Sequence, residues 1–183
     1  MKRKTLTDTV LAAMLIAIGY VLPFFTGQVQ QIGNMLLPMH LPVMIGGLVL
    51  GWYYGLAIGF VLPVTRSLIF GMPMLYPSAI AMSFELATYG ACIGLIYFLL
   101  KKRGLFAVYV SLIASMIAGR LVWGAAMIVL TGVKGGSFAF SAFTAGAFFN
   151  AFPGIILQLI LIPLLMLLLD KTKLVRFGST SKR

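Results

Sequence analysis

Long uncharged stretches constrain this chain more than any other feature. From Thr9 to Thr65, from Leu86 to Leu100 and from Gly135 to Leu169 there is no acidic, lysine or arginine side chain. Runs of that length, rich in Leu, Ile, Val, Phe and Met, leave too little polar surface to face water. Hydrophobic residues make up 61% of the 183 residues and charged ones 9%, with a mean hydropathy of +1.08; soluble domains carry roughly a quarter charged residues. The solvent for this chain is lipid, and the fold class expected is an all-α integral membrane protein.

The charges that remain are placed at the ends of apolar runs. Eleven of the 14 basic residues fall in three groups: Lys2, Arg3 and Lys4; Lys101, Lys102 and Arg103; and Lys171, Lys173, Arg176, Lys182 and Arg183. This is the pattern of a positive-inside topology. The net charge of +11 therefore does not indicate nucleic acid, which would call for a basic face with polar or aromatic interleaving. The single cysteine, Cys92, excludes an intramolecular disulfide and offers no metal cluster. No cofactor is called for.

Taken in order, the chain reads as six spans with both termini inside, at about 9–25, 39–51, 54–70, 77–100, 105–131 and 145–169, in one membrane domain over 1–183. Thr7 or Asp8 can cap the first helix. The TGQVQQIG stretch after it lacks a small-x-small cleavage site, so a retained span is expected rather than a signal peptide. The following loop carries Gln28, Gln30, Gln31 and Asn34. The second apolar segment, opened by Pro38 and Pro42, is short against the roughly 20 residues of a perpendicular span. Trp52, Tyr53 and Tyr54 fit an interfacial belt. Gly55 and Gly59 have the small-xxx-small spacing that permits close helix contact, and Pro63 is expected to bend the third helix. In this topology the outside loops hold only Lys134. No internal repeat is visible, so an inverted-repeat transporter is not indicated.

Against this background the stretch from Pro63 to Glu85 stands out, because it spends two opposite charges, Arg66 and Glu85, across the Gly71-Met72-Pro73 turn. At 1.5 Å per residue, Arg66 is expected about one turn below the outer surface and Asn150 slightly deeper. Glu85 and Arg120 come out at roughly 12–16 Å. Trp123 lies one turn above Arg120, and Tyr89 one turn below Glu85. Ionisable groups at such depth cost at least about 2.5–3.5 kcal/mol and normally face the bundle interior, where they mark ligand or ion paths. The candidate binding residues are Asn34, His40, Arg66, Glu85, Tyr89, Arg120, Trp123 and Asn150. The plainer alternatives are a structural lock between Glu85 and Arg120 or Arg66, a backbone-bonded His40, an Asn150 that caps carbonyls freed by Pro153, and a Gln158 that only ties helices together.

Ala13 and Ala17, preceded by Thr9 and followed by Val21, form a smooth stripe on the first helix. Its ordinary reading is internal packing; docking against another membrane protein is the other.

Together these residues resemble the substrate-binding S components of energy-coupling factor (ECF) vitamin transporters, over essentially the whole chain. The AAMLIA stretch is similar to the family's alanine motif, although the series stops at Ala17 with Val21 next. The segment LPMHLPVMIGGLVLGWYYGLAIGFVLPVTRSLIFGMP followed by AMSFELATYG is similar to the pantothenate-type and related branch. The resemblance implies a bundle of six membrane helices that binds a vitamin or precursor from outside, in a pocket formed by helices 4 to 6 and the outer loops. It implies a membrane coupling subunit, faced by Ala13 and Ala17, and two cytoplasmic ATPases as partners, in a prokaryotic plasma membrane. Other vitamin-type ligands, such as riboflavin, folate, cobalamin or a pyrimidine precursor, are the alternatives. The residues agree in that they include no phosphate-binding G-x-x-x-x-G-K-[ST] loop, so energy must come from a partner. Two arginines and a histidine against one glutamate favour a carboxylate or phosphate ligand, and pantothenate is the first candidate. An intramembrane enzyme is the rival of another class, but with one histidine, one membrane-depth acid and no His/Asp cluster neither a metal site nor a Ser-His pair is easy to build. A subunit that binds only protein is the third possibility.

Overall fold

The computed structural model describes residues 2–26, 35–100, 104–136 and 139–171, and all their regular structure is helical. Helix α1 (Lys2–Val21) continues into a 3-10 turn at Leu22–Thr26. Then come α2 (His40–Leu50), α3 (Trp52–Phe70) and α4 (Ile80–Leu99), the last led in by a wide helical turn at Leu75–Ala79. Helix α5 (Leu105–Val133) follows, and α6 (Phe152–Lys171) is led in by a short helix, Phe140–Thr144, and a second wide turn, Ala145–Phe149.

Five of these helical stretches, Leu6–Phe25, Trp52–Phe70, Leu75–Leu99, Leu105–Val133 and Phe152–Lys171, are long and apolar enough to cross a membrane. The sixth, α2, has 11 residues. At 1.5 Å per residue it covers about half of a hydrocarbon core roughly 30 Å thick. It ends at Gly51, whose φ of 104° breaks the helix while its N–H still returns to Gly47 O. Burial explains how so short an apolar helix is accommodated. His40, Leu41, Pro42, Val43, Met44, Gly46, Gly47 and Leu48 are all buried, so protein rather than lipid surrounds it.

Glycines bring α2, α3 and α4 into backbone contact. A methyl group added at Gly55 would lie 2.5 Å from the Gly90 carbonyl oxygen and 2.8 Å from the Gly47 Cα. One added at Gly59 would strike the backbone of Leu86. The Gly55/Gly59 spacing thus has its partner in α4. Without a hydrophobic drive between helices in lipid, such close backbone approach supplies the dispersion contacts that hold a bundle together. Leu62, Leu86, Ile93, Val43 and Leu48 fill the space around this contact.

Helix α1 lies on the outside of α2 and α3. Gly19 leaves room for the Leu62 side chain, while Val10, Ala13, Met14, Ala17, Ile18 and Val21 are exposed. The alanine stripe is therefore not internal packing: it faces outward. Pro153 stands in the first turn of α6, where its missing N–H costs no helical bond. That start is later than the 145 expected from the sequence, because Asn150 N–H closes on Ala145 O in the wide turn.

Candidate functional site

The wide turn that leads into α4 sets the phase of a stripe at Ser78, Met82, Glu85 and Tyr89, spaced so that all share one face. On α5 the matching stripe is Met116, Arg120, Trp123 and Met127. Gly119 makes the approach possible, since a methyl there would lie 2.7 Å from the Tyr89 ring. Where the stripes face each other, Arg120 Nη1 donates to Glu85 Oε1 at 2.7 Å. The Tyr89 hydroxyl donates to the same oxygen at 3.1 Å. His40, at the start of α2, stands beside this pair with Nε2 3.6 Å from Glu85 Oε1, just outside bonding range. Its ring lies 5.2 Å from that of Tyr89.

Burial makes this cluster energetically consequential. Glu85 is 2% exposed and His40 1%, so neither has water to solvate it. Unpaired, each charge would be prohibitive; Arg120 and Glu85 offset each other's desolvation. Yet the pairing is incomplete. Arg120 Nη2 is buried with no hydrogen-bond partner, and His40 Nε2 makes only the long 3.6 Å contact with Glu85 Oε1. Leaving a buried donor unmatched costs about 1–3 kcal/mol, so the free Arg120 nitrogen is poised for a further oxygen acceptor.

That acceptor has somewhere to sit. A cavity of about 130 Å³ opens on the cluster. Its polar wall is His40, Glu85, Arg120, Ser78 and Asn150; its apolar wall is Leu37, Pro73, Met82, Trp123 and Met127, with Gly146. Trp123 stacks on Phe143 at 6.2 Å, and a methyl on Gly146 would meet its indole at 2.8 Å, so the lead-in to α6 packs flat against it. The Tyr76 hydroxyl donates to Leu130 O and the Lys134 ammonium lies 4.3 Å above the Tyr76 ring. These contacts tie the segment around Pro73 to the end of α5.

Of the residues singled out from the sequence, His40, Glu85, Arg120, Trp123 and Asn150 line this cavity together. Tyr89 lies beneath it and acts on Glu85. Asn34 falls outside the described residues. Arg66 is elsewhere. Its Nη1 donates to the Tyr20 carbonyl at 3.2 Å, and its guanidinium lies over the rings of Phe24 (5.6 Å) and Phe70 (5.3 Å). The Tyr20 hydroxyl in turn donates to Thr65 Oγ1. Arg66, expected from the sequence as a binding residue alongside Glu85, therefore does not line the cavity that Glu85 lines. The physical reason is that Arg66 points toward the carboxyl end of α1, where the Tyr20 carbonyl and the faces of Phe24 and Phe70 receive a cation. The charge balance at the cavity changes with it, to one arginine and one histidine against one glutamate. Glu85 and Arg120 are both a lock and part of a cavity wall, so those two readings are not exclusive. Ser78, Met82 and Met127 were not singled out from the sequence. Extending the stripes of Glu85 and Arg120 by one and two turns would have reached all three.

Among curated proteins and among solved structures, no match to this chain was found. The family model described as "ECF transporter, substrate-specific component" matches residues 7–166, a span that includes every residue of the cluster. The chain is a multi-pass membrane protein that belongs to the substrate-specific components of ECF transporters.

Proposed function

We propose that this subunit captures a small, water-soluble vitamin or vitamin precursor in the cavity between α2, α4 and α5. The observation that carries the proposal is the unmatched Arg120 Nη2, buried beside His40 and lining a cavity that also offers an apolar wall. Arg120 Nη2 and His40 hold an oxygen acceptor, Asn150 and Ser78 add polar contacts near the rim, and Trp123, Met82 and Met127 enclose the apolar part. The cavity's near-balanced charge suits a neutral or singly anionic ligand better than a phosphate. A monocarboxylate such as pantothenate remains the first candidate.

In this reading α2 counts as the sixth, partial span, both termini are cytoplasmic, and the cavity opens outside a prokaryotic plasma membrane. Uptake is driven by a membrane coupling subunit and two cytoplasmic ATPases. Ala13 and Ala17, exposed on the outer face of α1, are the proposed contact with the coupling subunit. Mass spectrometry of the small molecule carried through purification, followed by titration of that compound, tests the proposal. A saturable site that disappears in Arg120→Leu is expected. A folded protein that binds no vitamin of any class refutes it.

A further inference from the structure

Among the described residues two arginines are buried, Arg120 and Arg66, and only Arg120 stands beside a carboxylate. Arg66 is 3% exposed. The chain has three acidic side chains in all, and none is placed to balance it. Glu85 is bonded to Arg120 and Tyr89. Asp8 lies more than three turns before Tyr20, the α1 residue whose carbonyl Arg66 meets, or about 18 Å along the helix. Asp170 is in the last turn of α6, the end away from Asn150 and the cavity.

The groups that do meet the Arg66 guanidinium are neutral: the Tyr20 carbonyl and the rings of Phe24 and Phe70. An arginine carries five N–H donors, so this single hydrogen bond leaves most of them without a protein acceptor. Nε and Nη2 are not enclosed as Arg120 Nη2 is, and so reach the protein's surface. That surface is apolar on both helices, with Val21, Phe24, Leu68, Ile69 and Phe70 exposed. Arg66 lies one turn from the end of α3, about 6 Å along its axis. In a spanning α3 the guanidinium is thus within a side chain's length of the membrane–water boundary at that end.

A buried charge without a counter-ion is costly, and a carbonyl dipole and two ring faces offset only part of it. The anion that completes the site has to be one that approaches across an apolar, lipid-facing surface. We propose that Arg66 binds the phosphodiester of a membrane phospholipid, in the leaflet that meets this end of the bundle. The unused N–H groups match phosphate oxygens in pairs, and the acyl chains lie against the exposed side chains of α1 and α3. The lipid then holds the joined ends of these two helices at a fixed depth.

Native mass spectrometry of the purified full chain in detergent tests the proposal. The probe is dioleoylphosphatidylglycerol, and the control is dioleoylglycerol, which has the same acyl chains and no phosphate. One tightly held phosphatidylglycerol per chain is expected. Arg66→Leu should weaken it about tenfold, as for the loss of one charge-assisted hydrogen bond, and leave dioleoylglycerol unchanged. Arg66→Lys, which keeps the charge but not the fork, should recover part of that loss. Thermal unfolding checks that each variant is folded. Should Arg66→Leu fail to fold, the other two proteins still decide: phosphatidylglycerol must outbind dioleoylglycerol on the wild type, and must weaken on Arg66→Lys.

Three outcomes overturn the proposal. One is phosphatidylglycerol that binds the wild type and folded Arg66 variants alike. Another is dioleoylglycerol that binds as tightly as phosphatidylglycerol. The third is displacement of the lipid by millimolar inorganic phosphate, which makes the site one for a free anion. The cavity at Arg120 plays no part in this readout, so the lipid site and the vitamin site stand or fall separately.

Discussion

Removing Glu85 exposes what holds the centre of the bundle together. In Glu85→Leu the 2.7 Å contact to Arg120 Nη1 disappears, as does the acceptor for the Tyr89 hydroxyl. The Arg120 side chain is 8% exposed, so its guanidinium is left charged, buried and bonded to nothing. Breaking a buried pair in this way costs about 3–5 kcal/mol. For a chain of this size each kcal/mol moves the unfolding midpoint by about 2–4 °C, so a drop on the order of 10 °C in detergent is expected. The double variant Glu85→Leu/Arg120→Leu removes the stranded charge and fills the space with hydrocarbon. Replacing both partners is often neutral or stabilising by about 1–4 kcal/mol relative to the pair, so most of the lost stability should return. Ligand capture should not return, because Arg120, the proposed anion-binding donor, is gone. Differential scanning fluorimetry on Glu85→Leu, Arg120→Leu and the double variant, with binding measured on each, separates the two effects. Single variants that unfold within about 2 °C of wild type, or a double variant no more stable than Glu85→Leu, would refute the argument that the pair is mutually compensating.

Other outcomes follow from other contacts. Gly90→Val places a branched side chain against the Gly55 backbone, which cannot move aside as a flexible side chain can; the loss should exceed the usual overpacking cost of about 1–3 kcal/mol, read as unfolding or loss of monodisperse protein on gel filtration. Arg66→Ala should leave ligand affinity within about twofold, as expected of a residue outside the cavity. It should also increase proteolysis near the end of α1, since cation–π contacts are worth roughly 0.5–2 kcal/mol each. Trp123→Ala, which opens the apolar wall, should weaken vitamin binding by about tenfold or more, measured by calorimetry. Ala13→Trp on the exposed face of α1 should leave binding to the isolated subunit intact while abolishing uptake in vesicles that contain the full transporter.

The fold was legible where lipid is the solvent and opaque where protein is. Helices α1, α3, α4 and α5 could be located from apolar runs and basic ends because a lipid-facing helix must satisfy its backbone within itself and cannot shorten without exposing it. Helix α2 escapes that rule. Surrounded by α1, α3, α4 and α6, it meets protein on nearly every side, so bilayer thickness does not set its length, and its 11 residues could be recognised as short but not explained. The lead-in to α6 was misplaced for a related reason. A wide turn keeps helical φ/ψ and apolar composition, and nothing in the hydropathy of Ala145–Phe149 separates it from the helix that follows.

Arg66 and Arg120 show where the sequence runs out at the site. Both are arginines within apolar helices, both lie at the outer half in the expected topology, and depth alone ranks them together. What divides them is the identity of the facing element, which is a tertiary fact. Arg120 meets α4 because Gly119 admits the Tyr89 ring, and that approach delivers it to Glu85. Arg66 meets the end of α1 because Thr65 is bonded to Tyr20, which turns the guanidinium toward the Tyr20 carbonyl and the Phe24 ring. The sequence holds no trace of this difference: Phe70 stands one turn from Arg66 on its own helix, and Trp123 stands one turn from Arg120 on its own. Arg120 nevertheless finds its partner across the bundle, and that partner occupies only one of its two terminal nitrogens.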